Sequence, residues 1–313
     1  MQDLIKKIIS LRLGKVLVNE RISNYTTYKV GGKAKAIIYP NNEDDLVTLV
    51  KLLKENDVKY FILGNGSNVL FSDNLYNGII IKLDMFNKVE IKRNIISVGA
   101  GYQLIKLANL TIKNGLAGLD FAAGIPGTVG GAVFMNAGAY GEDMSNIVEE
   151  VTVLDSDCNI IKLNNKEMEF SYRTTILQKH LDWVCLSCKL KLHPGDIEEL
   201  TNVVMERKRK RIDTQPLNYP QAGCVFRNPE GNFAGKMIEE MGLKGFSIGK
   251  AEVSTKHANF IINKGNCTAK DIKNIIDTIK AKAFSKYGVH LRVEQRLINW
   301  DGIEIKDEEE KED

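Results

Sequence analysis

The stretch from Gly118 to Gly141, GLDFAAGIPGTVGGAVFMNAGAYG, constrains this chain more than any other. It is dense in glycine, holds one proline and carries almost no charge. Glycine reaches positive φ and lets a ligand approach the backbone, but ordering it costs conformational entropy that something must offset. The usual offset is an anion held by backbone N–H groups, in a nest or at a helix start. A mere connector would be polar and serine-rich. This run instead interleaves Phe121, Ile125, Val129, Val133, Phe134 and Met135, which would anchor it in a core. A Walker loop needs a lysine, and none lies between Gly118 and Gly141. The G-x-G-x-x-G fingerprint of dinucleotide folds is absent here as well. The pattern predicts a phosphate-bearing cofactor held by backbone, outside a Rossmann fold.

The rest of the chain sets the frame. Its 313 residues suffice for two or three domains with real cores. A net charge of +3 is too mild to argue for nucleic acid or membrane, and it suits an anionic small substrate. MQDLIKKIISLRLGK reads as an amphipathic helix start rather than a signal peptide, and no apolar run approaches membrane-spanning length. Five cysteines, an odd number in a large chain, point to a reducing cytoplasm.

Periodicity predicts a strand over 35–39, a helix over 43–56 capped by Asn41 or Asn42, and a strand over 60–63. That strand feeds GNGSN, Gly64 to Asn68, a second candidate phosphate loop. Strands over 79–83 and 95–98 and a helix over 102–114, closed by Gly115, precede the organising run. A hairpin over 151–163, a strand over 183–192 and a helix over 197–211 follow it. Three of the six prolines fall just after Asp213, which marks a domain boundary. Beyond it come a short helix over 233–241 and a strand over 259–263. A helix capped by Thr268 with Asp271 then ends at Gly288, and a last strand covers 289–298. IKDEEEKED is a charged tail expected to be disordered.

Cys185 and Cys188 lie three apart on a strand, hence on opposite faces, so no metal is expected there. The cation run Arg207 to Arg211 suits a solvated helix C-terminus, with a role near a diphosphate kept open. Arg173 in FSYRTT, Cys224 in QAGCVFRNP and Glu294 in VHLRVEQRL are less easily explained as fold. Arginine can clamp a carboxylate, a thiol can give up a proton, and a strand glutamate among apolar residues needs a partner. Each also reads blandly: a surface arginine, a small buried cysteine, an outward strand glutamate.

Together TTYKVGG, LGNGSNVLFSD, the glycine run, FSYRTT, AGCVFRNPEGNFAGKMIE, VSTKHANFIIN and LRVEQR resemble the UDP-N-acetylenolpyruvoylglucosamine reductase family, flavoenzymes of peptidoglycan precursor synthesis. The resemblance runs from about Asn24 to Ile298. It implies an α+β fold: an FAD-binding domain of the vanillyl-alcohol-oxidase (PCMH) type in two subdomains plus a C-terminal α+β substrate-binding domain. The expected division is 1–78 and 79–212 for FAD and 213–290 for substrate, with 291–300 returning to the first subdomain and 301–313 as an acidic tail. Non-covalent FAD would lie on Gly64, Asn65, Gly66, Ser67 and Asn68 of the first loop. In the second it would meet Gly124, Ile125, Pro126, Gly127, Thr128, Gly130, Gly131, Asn136, Ala137, Gly138, Ala139 and Tyr140.

The reaction implied is transfer of hydride from NADPH through the flavin to the enolpyruvyl group of UDP-N-acetylglucosamine enolpyruvate, giving UDP-N-acetylmuramate. By motif position Arg173, Cys224 and Glu294 would be catalytic, and Tyr172, Asn228, His257 and Asn259 would contact substrate. The family's proton donor is a serine where this chain has Cys224, and its lysine before Q-P is Thr214 here. Only a short segment separates Arg173 from Trp183, so an inserted substrate-capping loop has no room. A cytoplasmic monomer without nucleic-acid or membrane partners is expected. Another FAD oxidoreductase of the same fold, and a non-catalytic nucleotide-binding module, are the rival readings.

Overall fold

The computed structural model describes residues 1–300; the predicted acidic tail lies outside the described residues. Packing divides the chain into two units. The first takes Met1–Glu20, Lys35–Asn65 and Asn77–Arg211; the second takes Arg21–Ala34, Gly66–Tyr76 and the chain from Ile212 onward.

The first unit holds two large sheets beside two two-stranded ones. In the four-stranded one the order is Gly14–Val18, Ala34–Pro40, Tyr76–Ile81, Tyr60–Ile62, with the outer pairs antiparallel and parallel respectively. In the five-stranded one the order is Ile160–Asn164, Val148–Leu154, Val184–Lys191, Ile95–Gly99, Val89–Lys92, antiparallel throughout. Helix α1 spans Gln2–Ser10, α2 Glu43–Glu55, α3 Leu104–Lys113, α4 Val129–Phe134 and α5 Ile197–Thr214. The Asn42 side chain accepts from Asp45 N and starts α2, whose stripe Leu46, Leu49, Val50 and Leu53 is buried. Leu104, Leu107, Ala108 and Ile112 of α3 are buried likewise, and Gly115 takes φ +63° just past its end.

In the second unit Ser247–Ile248, Ala251–Val253 and Ile261–Asn263 form a three-stranded antiparallel sheet. Helix α6 spans Ala234–Glu240 and α7 Ala269–Tyr287. Thr268 and Asp271 close the predicted capping box on α7, and Gly288 ends it at φ +67°. Ile272, Ile275, Ile276, Ile279 and Ala283 are its buried stripe. Arg296–Ile298 pairs parallel with Val69–Phe71. No helix among the described residues is long and apolar enough to cross a membrane.

Three expectations need correction. The sequence reading omits strands at Gly14–Val18, Val89–Lys92 and Ala251–Val253, of which Val89–Lys92 alternates half-buried and exposed at a sheet edge. The last strand is regular only over Arg296–Ile298, so Glu294 lies outside it. Its upstream part keeps a single bridge, Val293 with Phe226, because the facing segment leaves the extended conformation at Gly223 (φ +76°) on one side and meets Pro229, which has no N–H, on the other. Cys185 and Cys188 share one buried face rather than opposing ones. They pair with Val153 and Val151, two residues apart on the neighbouring strand, because a register shift between them inserts an extra residue. Burial pushes the Cys185 thiol up to about 12 and raises Cys188 as well, so both stay protonated packing groups. Among the described residues no cluster of His, Cys, Asp and Glu could hold a metal ion.

Candidate active site

In the first unit the strand end at Leu63 is joined to the glycine run by side-chain amides. Asn65 Nδ2 donates to Gln103 Oε1 (2.7 Å) and to Pro126 O (3.2 Å), and Gln103 Nε2 donates back to Asn65 Oδ1 (3.1 Å). Lys82 Nζ donates to Gly64 O at 2.8 Å. A Cβ at Gly64 would stand 2.6 Å from Thr128 Oγ1, so only glycine permits this approach. Thr128 caps α4, its hydroxyl accepting from Gly131 N. Gly127 is different in kind: a Cβ there would meet nothing within 4 Å. Its lack of a side chain serves an open face, not packing. In the second unit Gly66 is buried at φ +65°, where a Cβ would lie 2.3 Å from Tyr25 O.

The cations that the sequence reading left solvated divide. Lys208, Arg209 and Lys210 are exposed, but Arg207 and Arg211, four apart and so on one face of α5, turn to the glycine run. Arg207 pairs with Asp120 and lies over the Tyr140 ring at 4.5 Å. Arg211 stands where a Cβ on Gly124 would be, 2.7 Å from its Nη1. A backbone cradle with an arginine brought against it fits a diphosphate cofactor. The spacing of the two arginines was the signal available in the sequence.

Arg173 sits at the tip of a tight turn closed by Ser171 N to Thr174 O and Thr174 N to Ser171 O. It holds φ +58°, and Asn136 (φ +40°) and Tyr140 (φ +59°) of the glycine run are also left-handed. Non-glycine residues in that region are strained, and such strain concentrates at functional sites. The surroundings hold the turn. Arg173 Nη2 donates to Gly138 O (2.9 Å), Gln178 Nε2 donates to Arg173 O (2.9 Å), and Asn136 Nδ2 donates to Ser171 O (2.9 Å). The guanidinium lies over the exposed Tyr172 ring at 5.3 Å. The structure thus brings Tyr172 and Arg173 to Asn136, Gly138 and Tyr140.

The second unit brings Cys224 to Glu294. Glu294 N donates to Val225 O (2.8 Å) and Arg227 N to Arg292 O (2.9 Å), so the two segments run side by side. Asn68 Nδ2 donates to Glu294 O at 3.2 Å. Asn259 is buried, and its amide is engaged by the Phe226 backbone at both ends, 3.0 and 2.8 Å. It holds the Cys224 segment in place. Asn228 is exposed, its Oδ1 accepting from Ala234 N at the start of α6. His257 is half-buried against Phe260; its Nδ1 accepts from Asn259 N, and burial lowers its pKa, so the ring is neutral with its proton on Nε2. Sequence reasoning missed Gln295 and Tyr28, a buried pair behind the Cys224 loop. A glutamine directly after Glu294, in register with the apolar positions Leu291 and Val293, was the signal.

Comparison with known proteins follows the same lines. A family model described as FAD binding domain matches residues 34–164, and one described as UDP-N-acetylenolpyruvoylglucosamine reductase, C-terminal domain, matches residues 215–298. The UDP-N-acetylenolpyruvoylglucosamine reductase of Halalkalibacterium halodurans is 44% identical over 299 residues, 95% of this chain and 99% of the relative. That of Bacillus subtilis is 42% identical with the same coverage. The crystal structure of the Thermus caldophilus enzyme superposes with a TM-score of 0.78 at 32% identity, covering 91% of this chain and 98% of that one. A strained arginine turn on a lysine-free glycine cradle, the Cys224 segment paired through its backbone with the Glu294 segment, and these matches along nearly the whole length lead to one assignment: the chain belongs to the UDP-N-acetylenolpyruvoylglucosamine reductase family.

Proposed function

We propose that this chain reduces the enolpyruvyl group of UDP-N-acetylglucosamine enolpyruvate to give UDP-N-acetylmuramate, a peptidoglycan precursor, by the following division of labour among its residues. Bound FAD supplies the hydride chemistry, with NADPH as donor. Asn65, Gly127, Thr128 and Arg211 hold its diphosphate, and residues 1–78 and 79–212 carry the cofactor while 213–290 carry the sugar nucleotide. Arg173 meets the charge that develops beside the substrate carboxylate when hydride reaches the methylene carbon. Cys224 gives its proton to the carbon next to that carboxylate, and Glu294 assists at the same centre. Tyr172, Asn228 and His257 contact substrate, and Asn259 fixes the main chain that presents Cys224. The protein works as a cytoplasmic monomer.

The observation that carries this reading is Arg173, held in a left-handed conformation by hydrogen bonds to the glycine run and to Gln178. The test separates the half-reactions by stopped flow. Cys224→Ala leaves flavin reduction by NADPH intact and slows reoxidation by the enolpyruvyl sugar about 10² to 10⁴-fold, the range for a lost general acid. Cys224→Ser, which can donate from the same place, keeps appreciable activity. Reoxidation of the alanine variant at the wild-type rate would remove Cys224 from the mechanism.

A further inference from the structure

Behind the Cys224 loop lies a polar contact that the reaction scheme above does not use. Gln295 is 3% exposed and Tyr28 is 0% exposed, in the core of the second unit. Tyr28 OH donates to Gln295 Oε1 at 3.1 Å, and Gln295 Nε2 donates to Ala222 O (3.1 Å) and Gly223 O (3.3 Å). The amide is therefore used at both ends, and its donors fall on the two peptide carbonyls just before Cys224. Those carbonyls need holding. Gly223 takes φ +76° with nothing within 4 Å of a Cβ, so no neighbouring atom limits the turn through steric contact there. Gly223 N donates to Gln221 Oε1, and the adjoining residues are tied by Val225 N to Asn259 O and Glu294 N to Val225 O, so the Ala222 and Gly223 carbonyls are left to Gln295. Gln295 is also the next residue after Glu294, so one short segment fixes the glutamate's backbone and the thiol's approach together.

We propose that Gln295, oriented by the Tyr28 hydroxyl, is a positioning residue that sets the place of the Cys224 thiol. A buried amide spanning a buried hydroxyl and two backbone carbonyls is a rigid strut, because leaving any of those groups unpaired costs its full desolvation. A proton donor displaced by about 1 Å loses on the order of a hundredfold in rate. The inference rests on the proposed role of Cys224.

The test uses the FAD-loaded enzyme. Gln295→Met keeps the volume and removes the donors. It slows flavin reoxidation by the enolpyruvyl sugar about ten- to a hundredfold, while FAD content and flavin reduction by NADPH hold. Tyr28→Phe removes the hydroxyl alone and slows reoxidation in the same direction by less. In a Cys224→Ala background, Gln295→Met has no further effect. A Gln295→Met enzyme slowed equally in both half-reactions, or slowed by the same factor without Cys224, overturns the proposal. If Gln295→Met does not fold, Tyr28→Phe decides, and reoxidation at the wild-type rate overturns it. Failure of the Cys224 role itself is read separately, from Cys224→Ala alone.

Discussion

Arg173 shows what one side chain is asked to do in this protein. Its guanidinium is shared between the Gly138 carbonyl and the face of Tyr172, and its backbone is held in a conformation that a non-glycine residue adopts under strain. A planar fork can satisfy the carbonyl and still meet a developing enolate with its other N–H groups; an ammonium offers no such geometry. Arg173→Lys therefore keeps the charge and loses about a hundredfold or more of substrate turnover, with flavin content unchanged. Steady-state NADPH oxidation with the enolpyruvyl sugar measures this, and a variant within a few-fold of wild type (loose against that scale) would count against the role. The sequence made Arg173 visible because its motif is local. It could not show the φ of +58°, which the turn adopts only once folded, or the Gly138 contact, which spans 35 positions. Gln295 was hidden for the same reason: its partner Tyr28 is 267 residues distant.

At the scale of elements, legibility followed locality. Helix α7 carries its start and stop signals within its own sequence, and the structure reproduces both. Its N-terminus is also held from outside: Asp73 accepts from Ala269 N (2.9 Å) and Lys270 N (3.0 Å). Thr268→Ala therefore removes one of several caps, and we expect a loss of about 1 kcal/mol, read as a lower urea midpoint with unchanged flavin content. A loss of several times that would mean Thr268 has a second task. Elements whose partners are remote were harder to read. Residues 289–295 alternate like a strand, yet their neighbour is a segment bounded by Gly223 and Pro229 that offers one bridge. The cysteine pair changed face because one inserted residue shifted the register, which alternation alone cannot reveal. Arg207 and Arg211 looked like the rest of a cation run until the glycine run was folded against α5.

At the scale of the whole molecule, the α+β class with its FAD-binding domain was legible through ordered motifs spread over most of the chain. The same sequence predicts how the cofactor is kept. No cysteine precedes Cys158 and no histidine precedes His180, so both glycine-rich loops lack the usual residues for covalent attachment. Acid precipitation should leave all the flavin in the supernatant; colour retained in the pellet would contradict this.

The chain passes between the two units at 20/21, 34/35, 65/66, 76/77 and 211/212. Val69–Phe71, which pairs with Arg296–Ile298, and Tyr28, which orients Gln295, are encoded more than two hundred residues before their partners. A gene fragment beginning after residue 211 would therefore make a polypeptide missing one side of its own core. No single crossover between two such genes can exchange either unit intact, so each such event joins segments of both parents within one core.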